Sequence, residues 1–295
     1  MSKKHPVIAV TGSSGAGTTT VKRAFEHIFF REKINAAVIE GDSFHSLSRI
    51  DFKEAVKKAE AEGNQFFSHF GPQANHFDKL AELFNTYGAT GSGKKRYYIH
   101  SDEEADQHNK RLGTSLNPGE FTPWENVEPG SDLLFYEGLH GLVKTDDVDV
   151  SAHVDLGIGV VPIVNLEWIQ KIHRDGAERG YSAEVIVDTI LRRMPDYVNY
   201  ITPQFSRTDI NFQRVSTVDT SNPFISRDIP TPDESFIVIR FRDPKGVDFP
   251  YLLNMICNSF MSRRNTIVVP GAKMGFAMEL ILAPIIQEMI ANKGK

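Results

Sequence analysis

The sequence predicts an α/β fold in a single domain, a mixed sheet flanked by helices, and three observations carry that prediction. A continuous apolar run at 7–10 leads into a glycine-rich turn, Gly12-Ser13-Ser14-Gly15-Ala16-Gly17, as expected of a strand buried on both faces of a parallel sheet. Residues 18–31 then place Val21, Ala24, Phe25, Ile28 and Phe29 at three-and-four spacing, the mark of a helix with one apolar side. Residues 36–39 form a second short apolar strand closed by Glu40-Gly41-Asp42. Strand, helix and strand at this spacing make a βαβ unit, which builds parallel sheet through a right-handed crossover.

The remaining elements follow in order. Residues 51–63 read as a polar helix with Asp51 as N-cap and Gly63 as its stop, and 75–87 as a helix with Phe77, Leu80, Ala81 and Phe84 on one side. Residues 88–95 read as a glycine-rich turn running into Lys94-Lys95-Arg96-Tyr97-Tyr98, and loop signals crowd Asn117-Pro118-Gly119 and Glu128-Pro129-Gly130. Strands are expected at 132–136, 154–164, 236–241 and 266–269. Residues 165–178 form a charged helix, with Leu166, Ile169 and Ile172 on one side and Lys171, Arg174, Asp175 and Glu178 on the other. A further helix spans 182–200. The stretch 201–233, rich in Pro, Thr, Ser and Asn, is expected to be irregular, and an amphipathic helix at 276–291 carries Pro284 as a kink. No repeat, low-complexity tract or long linker divides residues 1–295.

Charge and cysteine content narrow the function. The 295 residues hold 33 Lys and Arg against 38 Asp and Glu, a net charge of −5, so no global field draws the protein to nucleic acid or anionic lipid. An anionic ligand must be held by local basic clusters. The single cysteine, Cys257, rules out an intramolecular disulfide and a multi-cysteine zinc site; in the run Leu252-Leu253-Asn254-Met255-Ile256-Cys257 it reads as a buried packing residue. The apolar run after Lys3 and Lys4 is too short for a signal peptide, and no run approaches the ~18 apolar residues of a membrane span. A cytoplasmic location is expected.

The glycine turn fits two templates. Gly12 and Gly17 have the spacing of the phosphate loop G-x-x-x-x-G-K-[ST], and Thr19 stands at the hydroxyl position that contacts magnesium, but Thr18 replaces the lysine. Gly15 and Gly17 equally open the dinucleotide fingerprint G-x-G-x-x-G, with Thr20 where the third glycine belongs and Glu40 about 20 residues on as a ribose acceptor. This stretch alone does not choose between them. The rest of the chain does: Glu137 ends the strand Leu133-Leu134-Phe135-Tyr136, and Asp42 follows its strand directly, so both face the sheet edge where open α/β proteins bind ligands. With Glu40 and Asp175 they are more acid than a dinucleotide site requires, and they suit a metal or a base.

Lys171-x-x-Arg174-Asp175-x-x-x-Arg179-Gly180-x-Ser182-x-Glu184 resembles the phosphoribulokinase signature, and Glu40-Gly41-Asp42-Ser43-Phe44-His45 and Tyr136-Glu137-Gly138-Leu139-His140-Gly141 extend the resemblance over most of the chain. Length and the single cysteine look like the bacterial form, which similarly lacks the loop lysine. The resemblance implies a P-loop nucleotide-kinase-like sheet and ATP-dependent phosphorylation of ribulose 5-phosphate at its C1 hydroxyl, giving the CO2 acceptor of the Calvin cycle. It implies Asp42 as base, with Asp175, Lys171 and Arg174 also catalytic. Gly12, Ser13, Ser14, Gly15, Ala16, Gly17, Thr18, Thr19 and Thr20 would hold ATP, Thr19 and Glu137 Mg2+, and His45, Arg49 and Arg179 the sugar phosphate. Bacterial members are typically homo-oligomers, octamers by this resemblance, activated by NADH; Arg31, Arg240 and Arg263, each interrupting or ending an apolar element, are the candidates for that effector.

Each residue has a plainer reading. An Asp after a strand is often a helix N-cap, an Arg-Asp pair on a helix is usually a solvated ion pair, and His100, His140 and His173 have no metal-ligand spacing. Three other functions compete: a nicotinamide oxidoreductase on Gly15-x-Gly17, a uridine- or pantothenate-type kinase sharing the cradle, and a nucleotide-binding regulator consistent with Thr18. Joint occurrence of the motifs favours the sugar-phosphate kinase.

Overall fold

The first strand, β1 (Val7–Gly12), is buried along its whole length because both of its faces are covered. In a computed structural model, which describes residues 4–12, 18–226 and 228–293 and only the backbone of Thr18, Thr19, Glu178 and Arg179, Ile8 and Val10 pack in one core and Val7 and Ala9 in another. The period-2 alternation of a strand thus divides one apolar run between two layers. The first layer contains α1 (Thr18–Glu32), which turns Val21, Ala24, Phe25 and Ile28 to the sheet, and the βαβ unit closes at β2 (Ala36–Glu40).

A short 3-10 turn, Gly41–Phe44, leads to α2 (Arg49–Ala61). The cap of α2 is Ser48 and not Asp51: the Ser48 hydroxyl accepts from Asp51 N–H and donates to the Asp51 carboxylate, so the helix starts earlier than its sequence suggests. Likewise α3 (Phe77–Thr90) runs through Gly88, which the sequence assigned to a turn, and stops at Gly91 in the left-handed conformation (φ 72°). Its Phe77, Leu80, Leu83 and Phe84 cover the second face of the sheet. After β3 (Lys94–Lys95) comes α4 (Asp102–Leu112), not foreseen from the sequence. With only Ala105 buried, α4 carries no apolar stripe, and its signal is the cap: Ser101 accepts from Glu104 N–H while the Glu104 carboxylate accepts from His100 N–H.

Next, β4 (Glu125–Asn126) pairs with β3, while β5 (Leu133–Gly138) and β6 (Leu156–Val161) enter the main sheet. They are followed by α5 (Val164–Arg179) and α6 (Ala183–Asp196), which passes into one π-helical turn, Tyr197–Ile201. The stretch expected to be irregular holds β7 (Ile210–Ser216), which alternates Ile210 and Phe212, both buried, with polar residues. Its turn-rich flanks masked that alternation. The chain continues through β8 (Ser235–Phe241), α7 (Phe249–Met255), β9 (Phe260–Arg263), β10 (Thr266–Pro270) and α8 (Met274–Ala291).

The main sheet has the order β2-β5-β1-β6-β7-β8-β10-β9. The first five of these strands are parallel and the pairings from β7 to β9 are antiparallel. β7 is the hinge of this mixed sheet, parallel to β6 and antiparallel to β8. Two sequence expectations fail in the C-terminal part. Cys257 is exposed just beyond α7, because Leu252 and Ile256 are the residues that turn inward there. Residues Gly271–Ala291 are long and apolar enough to cross a membrane by length and composition; their apolarity is accounted for by packing, since Met278, Ile281, Leu282 and Ile286 fill the core beside α1. Pro284 lies inside α8, which continues past it to Ala291.

One buried side chain ties three of these elements together. Gln204, fully buried, accepts from Leu142 N–H (2.9 Å) and meets the Thr11 hydroxyl (3.0 Å) with its Oε1, and donates from Nε2 to the carbonyls of Leu139 (2.8 Å) and Tyr200 (2.7 Å). Gln204→Leu leaves several buried polar groups unpaired at ~1–3 kcal/mol each. Urea unfolding should show a loss of roughly 3 kcal/mol or more; a loss under ~1 kcal/mol would mean that water replaces the amide.

Candidate functional site

Parallel pairing brings three chain segments to one edge of the sheet. Val10 pairs with Glu137, Thr11 with Gly138, and Glu40 with Glu137. The loop after Gly12, the turn after Glu40 and the end of β5 therefore emerge side by side at the carboxyl ends of the strands, the usual binding edge of an open α/β sheet. Close backbone contact holds them there. A Cβ on Gly12 would lie 2.8 Å from Val160 O, and one on Gly138 would lie 2.6 Å from Gly41 Cα and 2.7 Å from Tyr136 Oη. Only glycine allows the turns that carry Asp42 and Glu137 to touch.

Of the predicted phosphate loop, Gly12 closes β1, and Ser13, Ser14, Gly15, Ala16 and Gly17 lie outside the described residues. Thr18 and Thr19 begin α1, and Thr20 is exposed in its first turn. The positive end of α1 thus follows the loop directly, as an anion cradle requires. A basic residue that the sequence reading did not single out stands one turn further on: Lys22 Nζ is 3.2 Å from Glu40 Oε1. Burial would lower its pKa, but Glu40 and Glu137 outweigh burial and raise it, so Lys22 stays charged beside both carboxylates.

Asp42 sits in the Gly41–Phe44 turn with nearly half of its side chain open to solvent. Burial among protein groups would raise its pKa, but His45, with Nε2 3.3 Å from Asp42 Oδ1, and the nearby His100 and His69 prevail and lower it to about 2. His45 is buried, and its Nδ1 is 2.8 Å from Asn75 Oδ1. The turn is braced by Arg96, from the basic run Lys94-Lys95-Arg96, which donates to the carbonyls of Ser43 (2.8 Å) and His45 and stacks over Phe121 (3.8 Å) and Trp124 (4.6 Å). Arg49 opens α2, exposed, with Nε 3.4 Å from Tyr98 Oη.

The second cluster is on α5. Asp175 is buried, bonded to Lys171 through Oδ2 and to Arg174 Nε (3.0 Å) through Oδ1. Burial would raise the Asp175 pKa, but Lys171 and Arg174 overcome this and lower it. Burial and the nearby Arg193 lower the Lys171 pKa to about 8, against the opposing pull of Asp175. The Arg179 backbone ends α5, and its side chain lies outside the description.

What joins the two clusters is α6. Asp196 accepts from the Ser68 hydroxyl (2.7 Å), the Arg193 guanidinium lies 5.2 Å from the Phe70 ring centre, and Phe70, Tyr197 and Ile201 form a small core of their own. His69 lies between these contacts, its ring 4.9 Å from that of His45. Burial, then His45 and Arg193, hold its pKa well below the ordinary value. Arg193 therefore acts electrostatically on Lys171 and on His69 alike, and the α5 cluster and the Asp42 turn share one neighbourhood. His140 packs behind them, its Nε2 3.0 Å from Phe70 O; His173 Nε2 is 3.2 Å from Ser226 O.

The three effector candidates are elsewhere. Arg31 pairs with Glu32 (2.8 Å) and Glu279 (3.0 Å) in the α1/α8 layer. Thr266 pairs with both Arg240 and Arg263, which puts these two in one row across three strands. Arg240 alternates with Ile239 and Phe241, which face the core under α1 and α8, so it lies on the face opposite Arg31. A cleft of about 450 Å3 outside β2, lined by Glu40, Lys95, Tyr97, Tyr98 and Glu104, does not include Asp42, His45 or the α5 cluster.

Comparison with known proteins agrees with this geometry. The sequence profile described as the phosphoribulokinase/uridine kinase family matches residues 7–221. The chain is 62% identical to the phosphoribulokinase of Xanthobacter flavus and 59% identical to that of Nitrobacter vulgaris, over 293 residues and 99% of each chain in both cases. Its fold superposes on the solved phosphoribulokinase from Rhodobacter spheroides with a TM-score of 0.90, at 53% identity and full coverage of both chains.

The glycine contact can be tested without assigning any role. Gly138→Ala should lower the unfolding midpoint and shift the amide signals of Gly41 and Asp42, because its methyl must displace the opposing turn. An overpacking cost of ~1–3 kcal/mol is expected; an unchanged midpoint with unchanged Gly41 signals would refute the contact.

Proposed function

The chain belongs to the phosphoribulokinase/uridine kinase family, and from that membership we propose that it is a phosphoribulokinase of the bacterial type, transferring the γ-phosphoryl group of ATP to the C1 hydroxyl of ribulose 5-phosphate. The product is ribulose 1,5-bisphosphate, and the reaction belongs to the cytoplasm. The observation that carries this reading is Asp42, an ionised carboxylate reachable from solvent at the edge of the sheet where β1 also ends, and held by a histidine.

The chemistry follows from the positions. Phosphoryl transfer asks a protein mainly to align the reactants and to balance charge. Asp42 accepts the C1 hydroxyl proton as the oxygen attacks the γ-phosphorus; its low pKa means that it carries no proton of its own at any working pH. Lys171 and Arg174 stand one helical turn apart and stabilise charge on the transferred group, while Asp175 fixes both of them. This supplies in trans to the loop the charge lost at Thr18. His45, Arg49 and Arg179 hold the sugar phosphate, where the planar fork of arginine suits a dianion.

Magnesium fits this edge in the manner usual for that ion, by one or two carboxylates together with phosphate oxygens. Glu137 would provide a carboxylate and Thr19 the hydroxyl, and among the described residues no group of three or more His, Cys, Asp or Glu forms a metal cage by itself. When bound, the ion offsets charge on the phosphates. The activator in this reading is NADH, held by Arg31, Arg240 and Arg263. Because Arg31 lies across the sheet from the other two, one chain alone does not join all three, which favours a site shared between copies in a homo-oligomer.

Three outcomes test the reading. With ATP and Mg2+, ADP should appear only when ribulose 5-phosphate is added, and a panel containing uridine and pantothenate should be inert; sugar-independent ADP release would sink it. Asp42→Asn should bind ATP as the parent does and lose ~10²–10⁴ in kcat, the usual worth of a positioned base. The Lys171 charge is present below its pKa of about 8 and disappears as pH rises through it, so kcat should fall over that window. Lys171→Arg, weaker at its best, should lack that decline, because the guanidinium stays charged.

A further inference from the structure

Asn75 is buried, and its amide has one favourable orientation. Nδ2 donates to the carbonyls of His69 (2.8 Å) and Gly71 (2.7 Å), which uses both amide hydrogens. Oδ1 is therefore the atom that meets His45 Nδ1 at 2.8 Å. The flipped amide would set its oxygen against two carbonyl oxygens. An amide oxygen only accepts, so His45 Nδ1 must carry a hydrogen and donate it. The other ring nitrogen, Nε2, then faces Asp42 Oδ1 at 3.3 Å. A bare Nε2 opposite an ionised oxygen would oppose two lone pairs; one proton between them satisfies both.

We infer that Asn75 is a positioning residue for phosphoryl transfer and acts through His45: it turns Nε2 toward Asp42, Nε2–H donates to Oδ1 of the ionised carboxylate, and Oδ2 is left to accept the hydroxyl proton. The inference rests on the reading of Asp42 as base. In the step it serves, the hydroxyl O–H bond breaks, an Oδ2–H bond forms, the oxygen electron pair makes a bond to the γ-phosphorus, and the bond from that phosphorus to the bridging oxygen breaks with its electron pair leaving on ADP. Among the described residues no hydrogen-bond donor is paired with Oδ2. The other ionisable groups around the His45 ring leave this arrangement intact: Arg96 bonds backbone carbonyls, burial keeps His69 and His140 neutral, and His100 and Arg193 act only at a distance.

The resting enzyme with 15N-labelled histidine tests the ring protonation directly by nuclear magnetic resonance. His45 should show hydrogen on both ring nitrogens, Nδ1–H given to Asn75 and Nε2–H to Asp42; a bare nitrogen at either position in the unaltered protein overturns the proposal. That spectrum needs neither substrate nor a variant, so it decides even if Asn75→Leu fails to fold. If Asn75→Leu folds, its kcat should fall by ~10–100-fold, the scale of a small misplacement, with little change in the KM for ATP. In a His45→Asn background the same substitution should cost nothing more, and a full additive loss would mean that Asn75 acts structurally and not through His45. Absence of ribulose 5-phosphate turnover in the parent would overturn the kinase reading and leave the ring-protonation result standing.

Discussion

Parallel pairing of β5 between β1 and β2 is the constraint on which the site depends. It matches Val10 and Glu40 to the same partner, Glu137, and so aligns the ends of three strands that are far apart in sequence. Glycines at 12, 41 and 138 let those ends approach more closely than any Cβ would permit. Without that register, Asp42 would be only an acidic residue after a strand.

Electrostatics then separates the acidic residues into different states. Asp42 and Asp175 are both held ionised, but by different means: Asp42 by histidines in the turn after β2, and Asp175 by a lysine and an arginine on α5. Lys171 is charged only up to a pKa of about 8, because burial and Arg193 oppose the carboxylate that it touches. In the proposed reaction, a cationic pair held in place in advance would suit the charge that develops during transfer.

Packing between α6 and the segment carrying Ser68, His69 and Phe70 does as much as the sheet to form the site. Arg193, Asp196 and Tyr197 each reach that segment or the small core beneath it. The same segment presents the His69 and Gly71 carbonyls that fix the Asn75 amide, and thereby the ring of His45. A substitution on α6 is thus one contact from the backing of the Asp42 turn, although the two are distant in sequence.

The βαβ start, the carboxylates after β2 and β5 and the Lys171–Asp175 cluster were legible in the sequence, because each is a local pattern: a period, a position at a strand end or a fixed spacing on one helix. The cap at Ser48, the helix α4 and the strand β7 were misread where polar flanks hid a short or weakly apolar element. Asn75, Arg193 and Lys22 left no local signal, because the contacts that bring them to the site, with His45, Phe70 and Glu40, are made between separate elements of the fold. Sequence by itself determined which chemical groups the chain has and on which elements they sit. Only tertiary structure decided which carboxylate meets a histidine, which meets a lysine, and which amide orients the histidine, since those contacts depend on how strands and helices pack across the chain.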